Sequence, residues 1–258
     1  ERKTEVLLQW NGMQNGSNHR RTQGCLPLSK NIFLEKPIKT ARLFITALGT
    51  YEVVLNGSRV GEFVLALAGL LMKNVFSIRL MTLQICWKDN HISVTVGKGW
   101  YRSPMPGWSK SSVQEELKKS PAGLLAQLEI TYEDGSVEYT VTDETWTFTE
   151  SPVRFSEIYD GEIYDASMEC GSSSAGSGSR DYGSAKPVCA FEGPTHALIP
   201  QQGEEIREQE RLAPIRIFTT PKGEIVADFG QDITGYVEIN LTAKAGETVE
   251  LSHARGSG

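Results

Sequence analysis

The sequence has few cysteines, no excess of positive charge and no uninterrupted hydrophobic span, and each shortage excludes a class of protein. Its four cysteines are far apart, none in a CxxC pair, and its four histidines are scattered, so a zinc site is not expected. Such sparse cysteine usage fits a reducing compartment, or a fold that does not depend on disulfides. The net charge of -6 argues against nucleic acid as a partner, because nucleic acid binds basic surfaces.

The longest apolar stretch, residues 63–87, is not expected to cross a membrane. Lys73, Asn74 and Arg79 interrupt it, and each would be costly in a bilayer. The first residues do not lead into the hydrophobic core of a signal peptide. We therefore expect no membrane partner and a cytoplasmic location, for a chain that could itself be a cut from something longer.

What the sequence does contain is a series of strand and turn signals. Asn56-Gly57 follows an apolar stretch at 51–55 and is a strong signal for a tight hairpin. A second hairpin is predicted from the strand at 124–132, the turn at 133–136 and the return at 137–141. Further strands are predicted at 41–47, 91–96 and 145–149. Strands at this spacing, with few helix patterns, indicate a β-sandwich.

A second, shorter strand series follows a segment of low complexity. Residues 171–183 are rich in serine and glycine and are predicted to bridge two units. The later strands are predicted at 215–218, 225–230, 235–241 and 248–252, with a turn at 243–247. Because a half-built sheet leaves an unpaired edge, we expect the chain to be truncated inside a second domain.

The tetrapeptide Glu-Ile-Tyr-Asp occurs twice, at 157–160 and at 162–165, with Gly161 between the copies. Carboxylates accept hydrogen bonds from sugar hydroxyls and coordinate calcium, and tyrosine rings stack on sugars. If the segment is a strand, Glu157 and Tyr159 share one face and Asp160 and Glu162 the other. The alternative is a solvated loop whose tyrosines are half-buried in a core.

Several motifs, in this order, resemble the N-terminal β-sandwich of bacterial α-L-rhamnosidases and the opening of the β-domain that follows it. The resemblance runs from about Leu28 to Ala254, with two breaks. The motifs lie at 41–52, 55–61, 99–102, 161–166, 228–232 and 235–237.

The resemblance implies an all-β chain: an antiparallel β-sandwich, jelly-roll-like and of carbohydrate-binding type, followed by part of a second β-domain. We accordingly divide the sequence into an N-terminal extension or partial strand at 1–27, the sandwich at 28–198 and a truncated second β-sandwich domain at 199–258.

The same resemblance implies a function for the parent protein. Members of the family are inverting glycosidases whose catalytic carboxylates sit in an (α/α)₆ barrel beyond these β-domains. We therefore expect no catalytic residue here, and a non-catalytic fragment that binds rhamnose-containing glycans or scaffolds the missing barrel. Related sandwiches bind L-rhamnose, in at least one type with calcium, so calcium is a possible ligand and no other cofactor is implied.

Six candidate residues are carried over by position, and each has a structural alternative. Trp100 and Tyr101 could offer rings to a sugar or could belong to the sandwich core. Asn56 could simply occupy the left-handed position of a tight turn. The three acidic candidates, Asp160, Glu162 and Asp165, could brace a neighbouring domain rather than contact sugar.

The sequence departs from the family pattern over residues 66–87. We hypothesise a compensated frameshift in the coding DNA, because reading this segment in another frame restores tyrosine-rich residues typical of the family. As written, the segment is nearly continuous in apolar residues, which predicts lower stability and poor solubility. The DNA sequence of an intact gene would decide this.

Two other functions remain open at this level. The chain could be a free-standing carbohydrate-binding module with no enzyme attached, which the gene sequence following residue 258 would decide. It could also be a hydrolase in its own right, using Asp160 with Glu162 or Asp165. Turnover of a rhamnoside that is lost in an Asp160→Asn variant would favour that alternative.

Overall fold

The computed structural model is almost entirely β-structure and divides the chain into two units, residues 1–207 and residues 208–258. Two short helices, α1 (Gly99–Arg102) and a 3₁₀ helix (Ala166–Glu169), are the helical elements of the part that the structure describes. The structure describes residues 7–9, 24–67, 75–86, 88–103, 121–169, 184–191, 197–201 and 203–253. The serine- and glycine-rich segment 171–183 and the stretch 68–74 lie outside these ranges.

The first unit is a sandwich of two seven-stranded sheets. The first sheet contains β1 (Leu7–Gln9), β3 (Ile38–Ala47), β7 (Val75–Leu83), β9 (Gly123–Tyr132), β10 (Val137–Val141), β15 (Cys189–Phe191) and β16 (Ala197–Pro200). Its order is β15-β1-β9-β3-β7-β16, with β10 paired to β9. All its pairings are antiparallel except that of β16 with β7.

The second sheet is antiparallel throughout. It contains β2 (Leu26–Phe33), β4 (Thr50–Leu55), β5 (Ser58–Arg59), β6 (Ala66–Leu67), β8 (Asp89–Gly97), β11 (Thr147–Phe148) and β14 (Lys186–Pro187). Its order is β14-β11-β2-β8-β4-β5, with β6 paired to β4. A separate two-stranded hairpin consists of β12 (Val153–Glu157) and β13 (Gly161–Tyr164).

The core lies between the two sheets and follows the alternation of their strands. In β8, Ile92, Val94 and Val96 are buried and the residues between them are partly exposed. Leu43, Ile45 and Leu128 of the first sheet join them in one hydrophobic cluster. Alternation of this kind is what a sandwich requires, because each sheet buries one face.

Both predicted hairpins are confirmed. Asn56 and Gly57 have φ angles of 49° and 79°, the left-handed pair of a type I′ turn, between β4 and β5. The strand at 124–132 and its return at 137–141 pair as β9 and β10. The strand predicted at 145–149 is shorter than expected, because Trp146 closes a turn onto the Asp143 carbonyl before β11 begins.

The segment that departs from the family pattern forms a regular strand over its described part. In β7, Arg79, Met81 and Leu83 point inward while Leu80 and Thr82 are exposed, and the strand pairs with β3. The frameshift stays a hypothesis about the coding DNA.

The second unit contains one hairpin, β17 (Arg216–Thr219) and β18 (Ile225–Asp228). The predicted turn at 243–247 is confirmed by the hydrogen bond from Glu247 N to Lys244 O. The strands predicted at 235–241 and 248–252 are wrong, since residues 203–253 hold no strand besides β17 and β18. A strand forms only where a neighbour accepts and donates backbone hydrogen bonds. Apolar side chains such as Ile217, Tyr236 and Leu251 are accordingly exposed in this unit.

Candidate functional site

The candidate site begins where β8 ends, at Gly97-Lys98-Gly99. Gly97 lies opposite Thr50 of β4, and Gly99 adopts φ +51°, a conformation that favours glycine. A Cβ on Gly99 would lie 2.8 Å from the Thr50 backbone nitrogen, so no larger residue fits there without a shift. The chain then makes the single turn of α1, closed by the hydrogen bond from Ser103 N to Gly99 O at 3.2 Å. This turn positions Trp100 and Tyr101 at one end of the sandwich.

The two aromatic side chains of α1 have different surroundings. Tyr101 packs against Leu48 in a small hydrophobic cluster at the end of the first sheet, so it contributes to packing. Trp100 is half-buried, and its Nε1 donates a hydrogen bond to the Tyr159 hydroxyl at 3.2 Å. Tyr159 is 51% exposed. Of the two candidates, Trp100 is therefore the one that reaches the acidic repeat.

The acidic repeat forms the β12–β13 hairpin. Glu157 pairs with Gly161, and Ile158, Tyr159 and Asp160 form a three-residue loop. Gly161 has φ +85°, as expected for the residue that follows a type I turn in such loops. The interpretation of the repeat as one strand with alternating faces is therefore wrong for 158–160. The loop instead presents Tyr159 and Asp160 at an exposed tip.

A buried ion pair lies beneath this tip. Lys98 Nζ lies 2.6 Å from Glu157 Oε1, and the two side chains are 7% and 4% exposed. Lys98 also lies over the Phe155 ring, 5.2 Å from its centroid. Desolvation lowers the pKa of Lys98, against the opposing effect of Glu157. Within the described residues, Glu157 Oε2 has no hydrogen-bond partner.

The sequence analysis did not select Lys98 and Glu157. For Lys98, the sequence feature that could have indicated a role was its place between two glycines at the end of a core strand. Its partner, 59 positions away, was recognisable as part of the repeat but not as a buried residue.

The three acidic candidates differ in what they contact. Asp160 is exposed at the loop tip. Glu162 is exposed, yet partial desolvation raises the pKa of its carboxyl. Asp165 accepts hydrogen bonds from Ser167 N at 3.0 Å and Ser167 Oγ at 2.6 Å, which lower its pKa. Asp165 thus caps the 3₁₀ helix, while Asp160 and Glu162 remain accessible on the hairpin.

Asn56 lies away from the other candidates. It follows the last residue of β4, whereas Thr50, next to Gly99, is the first. Six residues of strand separate the two ends by about 20 Å. Its side chain is engaged locally: Nδ2 donates to Asn90 Oδ1 at 2.9 Å, and Oδ1 accepts from His91 N at 2.8 Å. The structure therefore assembles Trp100, Asp160 and Glu162 at one end and leaves Asn56 in its turn.

The described residues contain no group of three or more histidine, cysteine, aspartate or glutamate side chains that could hold a metal ion. Calcium stays the possible ligand that the resemblance implies, and no step below depends on a metal. Cys25, Cys86 and Cys189 are free thiols. Among the described helices, none has the length and apolar character to span a membrane.

Comparison with known families matches two models along the chain. The model described as the alpha-L-rhamnosidase N-terminal domain matches residues 36–210. The model described as the bacterial alpha-L-rhamnosidase concanavalin-like domain matches residues 218–255.

Curated relatives carry the name alpha-L-rhamnosidase. One from Formosa agariphila is 30% identical over 223 residues, which is 85% of this chain and 23% of the relative. One from Streptomyces avermitilis is 32% identical over 225 residues, which is 85% of this chain and 21% of the relative. The chain thus spans less than a quarter of the length of these relatives.

Solved structures of similar proteins share the fold. The native α-L-rhamnosidase of Aspergillus terreus aligns with a TM-score of 0.76 and 28% identity, covering 89% of this chain and 26% of that one. The Streptomyces avermitilis α-L-rhamnosidase, solved in complex with L-rhamnose, aligns with a TM-score of 0.69 and 26% identity, covering 81% and 20%.

Proposed function

The chain belongs to the α-L-rhamnosidase N-terminal domain family, and from this membership we propose that it is a non-catalytic, carbohydrate-binding part of an α-L-rhamnosidase. The observation that carries the proposal is the hydrogen bond from Trp100 to Tyr159. It joins two rings from distant parts of the chain and brings the carboxylates of the hairpin to the same end of the sandwich.

The chemistry of this surface suits a sugar. Aromatic rings cover the apolar face of a pyranose, and carboxylates accept hydrogen bonds from its hydroxyls. The indole of Trp100 is half-buried and the phenol of Tyr159 is exposed, so both rings are accessible while remaining anchored. Asp160 and Glu162 supply exposed carboxylates on the same hairpin. A surface with two rings and two acceptors is typical of sites that recognise neutral, hydroxyl-rich ligands.

We propose L-rhamnose and rhamnose-containing glycans as the ligands. The support is that the similar protein from Streptomyces avermitilis was solved in complex with L-rhamnose. The methyl group of this 6-deoxy sugar also favours contact with an aromatic ring over contact with a charge.

We place bond cleavage outside this chain. Inverting glycosidases need an acid and a base about 6.5–9.5 Å apart with a water between them. Asp165 is committed to capping the 3₁₀ helix, and Asp160 is an exposed carboxylate at a loop tip. Neither has the buried setting that tunes a general acid. The matched residues make up 23% of the Formosa agariphila relative, which leaves room in such a protein for a catalytic domain and for an interface with it.

Calorimetric titration with L-rhamnose, with and without calcium, tests the binding proposal. We expect saturable heat at millimolar sugar, lost in Trp100→Ala and weakened in Asp160→Asn. Asn56→Gly is the matched control, since it lies at the other end of β4 and should bind as the unmodified chain does. Absence of heat in both titrations would contradict carbohydrate binding and leave domain scaffolding as the role of this chain.

Hydrolysis of p-nitrophenyl α-L-rhamnoside tests the second half of the proposal. We expect no turnover by the chain. Turnover that disappears in Asp160→Asn would show that the chain is itself a hydrolase.

A further inference from the structure

The β12–β13 hairpin pairs with neither large sheet among the described residues. A two-stranded hairpin alone is marginally stable in water, so its position depends on other contacts. At its base, Cys25 N donates to Val153 O at 3.2 Å, and Gly24 lies so close that a Cβ there would be 2.1 Å from the same oxygen. The base is therefore attached by the backbone, and the tip must be held by side chains.

Among the side-chain contacts of the hairpin, the two nearest its tip differ in burial. The Trp100–Tyr159 hydrogen bond involves a half-exposed phenol, which can exchange its partner for water at little cost. The Lys98–Glu157 ion pair is almost completely excluded from water. Breaking such a pair leaves an uncompensated charge, so its contribution to the position of the hairpin outweighs that of the exposed hydrogen bond.

Each residue of the buried ion pair lies two positions before one of the two ring residues. Lys98 directly precedes α1, and Trp100 follows it by two residues. Glu157 ends β12, and Tyr159 follows it by two residues in the loop. The buried pair thus joins the two segments immediately before the residues that place their rings together.

We propose that Lys98 and Glu157 are positioning residues that fix the Tyr159 loop against α1 and so assemble the binding surface. The effect of this ion pair on sugar affinity rests on the proposed function. Its effect on the position of the hairpin does not. Neither residue is expected to contact the ligand, because both side chains are buried beneath it.

Removing one partner should open the hairpin locally rather than unfold the sandwich. In Lys98→Met, Glu157 would be left charged and buried. Local opening hydrates that carboxylate without disturbing the core between the sheets, which makes it the less costly response. The two segments would then separate, and Tyr159 would lose its fixed position beside Trp100.

Amide hydrogen exchange over residues 153–164 is the test, with Lys98→Arg as the conservative rescue. We expect exchange about tenfold or more faster in Lys98→Met and close to the unmodified rate in Lys98→Arg. Lys30→Met is the matched control, since it breaks the Lys30–Asp143 pair elsewhere on the sandwich and should leave this segment unchanged. Should Lys98→Met fail to fold, Glu157→Gln provides the same measurement, because it removes the carboxylate that pairs with the buried Lys98 ammonium.

A double-mutant cycle measured by tryptophan emission distinguishes an effect on the position of the Tyr159 loop from an effect on the stability of the whole chain. Tyr159→Phe should change tryptophan emission in the unmodified chain, because it removes the partner of the Trp100 indole. In the Lys98→Met background the same change should have no effect. Unchanged hydrogen exchange in Lys98→Met, or an equal effect of Tyr159→Phe in both backgrounds, would overturn the proposal. If hydrogen exchange is faster in Lys98→Met but the unmodified chain does not bind sugar, the positioning role of the ion pair is supported. That result would count against the proposed function alone.

Discussion

The guanidinium of Arg79, inside one end of the sandwich, forms an ion pair with Glu205, which lies shortly before the boundary between the two units. It also donates to Gln201 Oε1 at 2.6 Å and stacks over the Phe63 ring, 4.0 Å from the centroid. The side chain of Arg79 is 7% exposed and that of Glu205 33%. Arg79 of β7 thus helps to hold the segment 203–207 within the first unit, together with the backbone hydrogen bond from Val64 N to Ile206 O.

We expect Arg79→Met to lower the free energy of unfolding of the first unit by about 2–3 kcal/mol. The cost is limited because Glu205 is partly exposed and keeps its ion pair with Arg207 when Arg79 is replaced. Chemical denaturation measures the loss, and faster tryptic cleavage at Arg207 would show release of the segment. Arg42→Met is the control, since the Arg42–Glu129 pair is a surface pair and should change stability by less than about 1 kcal/mol. Equal effects of the two substitutions would contradict the anchoring role.

Gly99→Ala should destabilise the chain by about 2 kcal/mol and disturb the site. An alanine there has both an unfavourable positive φ and a Cβ pressed against the backbone of Thr50. Gly135→Ala is the matched control, because Gly135 has φ +81° but a Cβ added there would have nothing within 4 Å. It should cost only the conformational term of about 1 kcal/mol. Thermal unfolding of both variants measures the difference, and a smaller loss at Gly99 would refute the steric argument.

Asn56→Ala should cost about 1 kcal/mol of stability and leave sugar binding unchanged. It loses the hydrogen bonds with Asn90 and His91 and puts alanine, which tolerates the left-handed conformation less well than asparagine, at a positive φ. Asn56→Gly loses the same bonds but tolerates the φ angle, so it should cost less. Denaturation curves of the pair separate the two contributions. Weaker rhamnose binding by either variant would show that the far end of β4 takes part in recognition.

Acid should weaken the attachment of β14 to the adjoining segment. The hydrogen bond from Lys186 lowers the pKa of Glu150 below its usual 4.5. The folded pKa is the lower one, so the contribution is present above pH 4.5 and is lost as the pH falls through the folded pKa. Lys186→Met should therefore reduce stability by up to about 1 kcal/mol at pH 7 and by less at pH 3. Thermal unfolding across this range measures the effect, and a loss that grows with acidity would have the wrong sign.

Leu80→Thr should raise soluble yield without lowering stability by more than about 0.5 kcal/mol. Leu80 is 55% exposed and lies opposite Phe44 on the outer face of the first sheet. Met81→Thr, at the neighbouring inward position, should instead cost about 2 kcal/mol because it places a hydroxyl in the core. Sedimentation after expression and urea denaturation distinguish the two. Unchanged aggregation in Leu80→Thr would mean that this side chain is not the source of poor solubility.

Local chemistry made much of the sandwich predictable. Asn56-Gly57 specifies its turn through backbone conformation alone, and the apolar alternation of β8 specifies which face is buried. The strands predicted at 235–241 and 248–252 do not form, because a strand requires a hydrogen-bonding neighbour in addition to a β-type sequence pattern.

The site was only partly predictable, because its key contacts join residues distant in sequence. Trp100 and the acidic repeat were selected separately, and no local pattern indicated that Tyr159 would receive the indole hydrogen bond. Asp165 was carried over by position together with its neighbours, yet a serine two residues later commits it to a helix cap. Lys98 and Glu157 look like surface charges in sequence, and only the fold buries them.

The place of β1 in the first sheet has a consequence for how the chain acquires its structure during synthesis. Leu7–Gln9 lies between β9 and β15, so this part of the sheet cannot close until residues 189–191 have left the ribosome. At typical translation rates of about 5–20 residues per second, roughly 10–40 s pass between the two. During that interval β1 has no partner on the side that β15 later fills, so the nascent chain carries an unpaired strand edge.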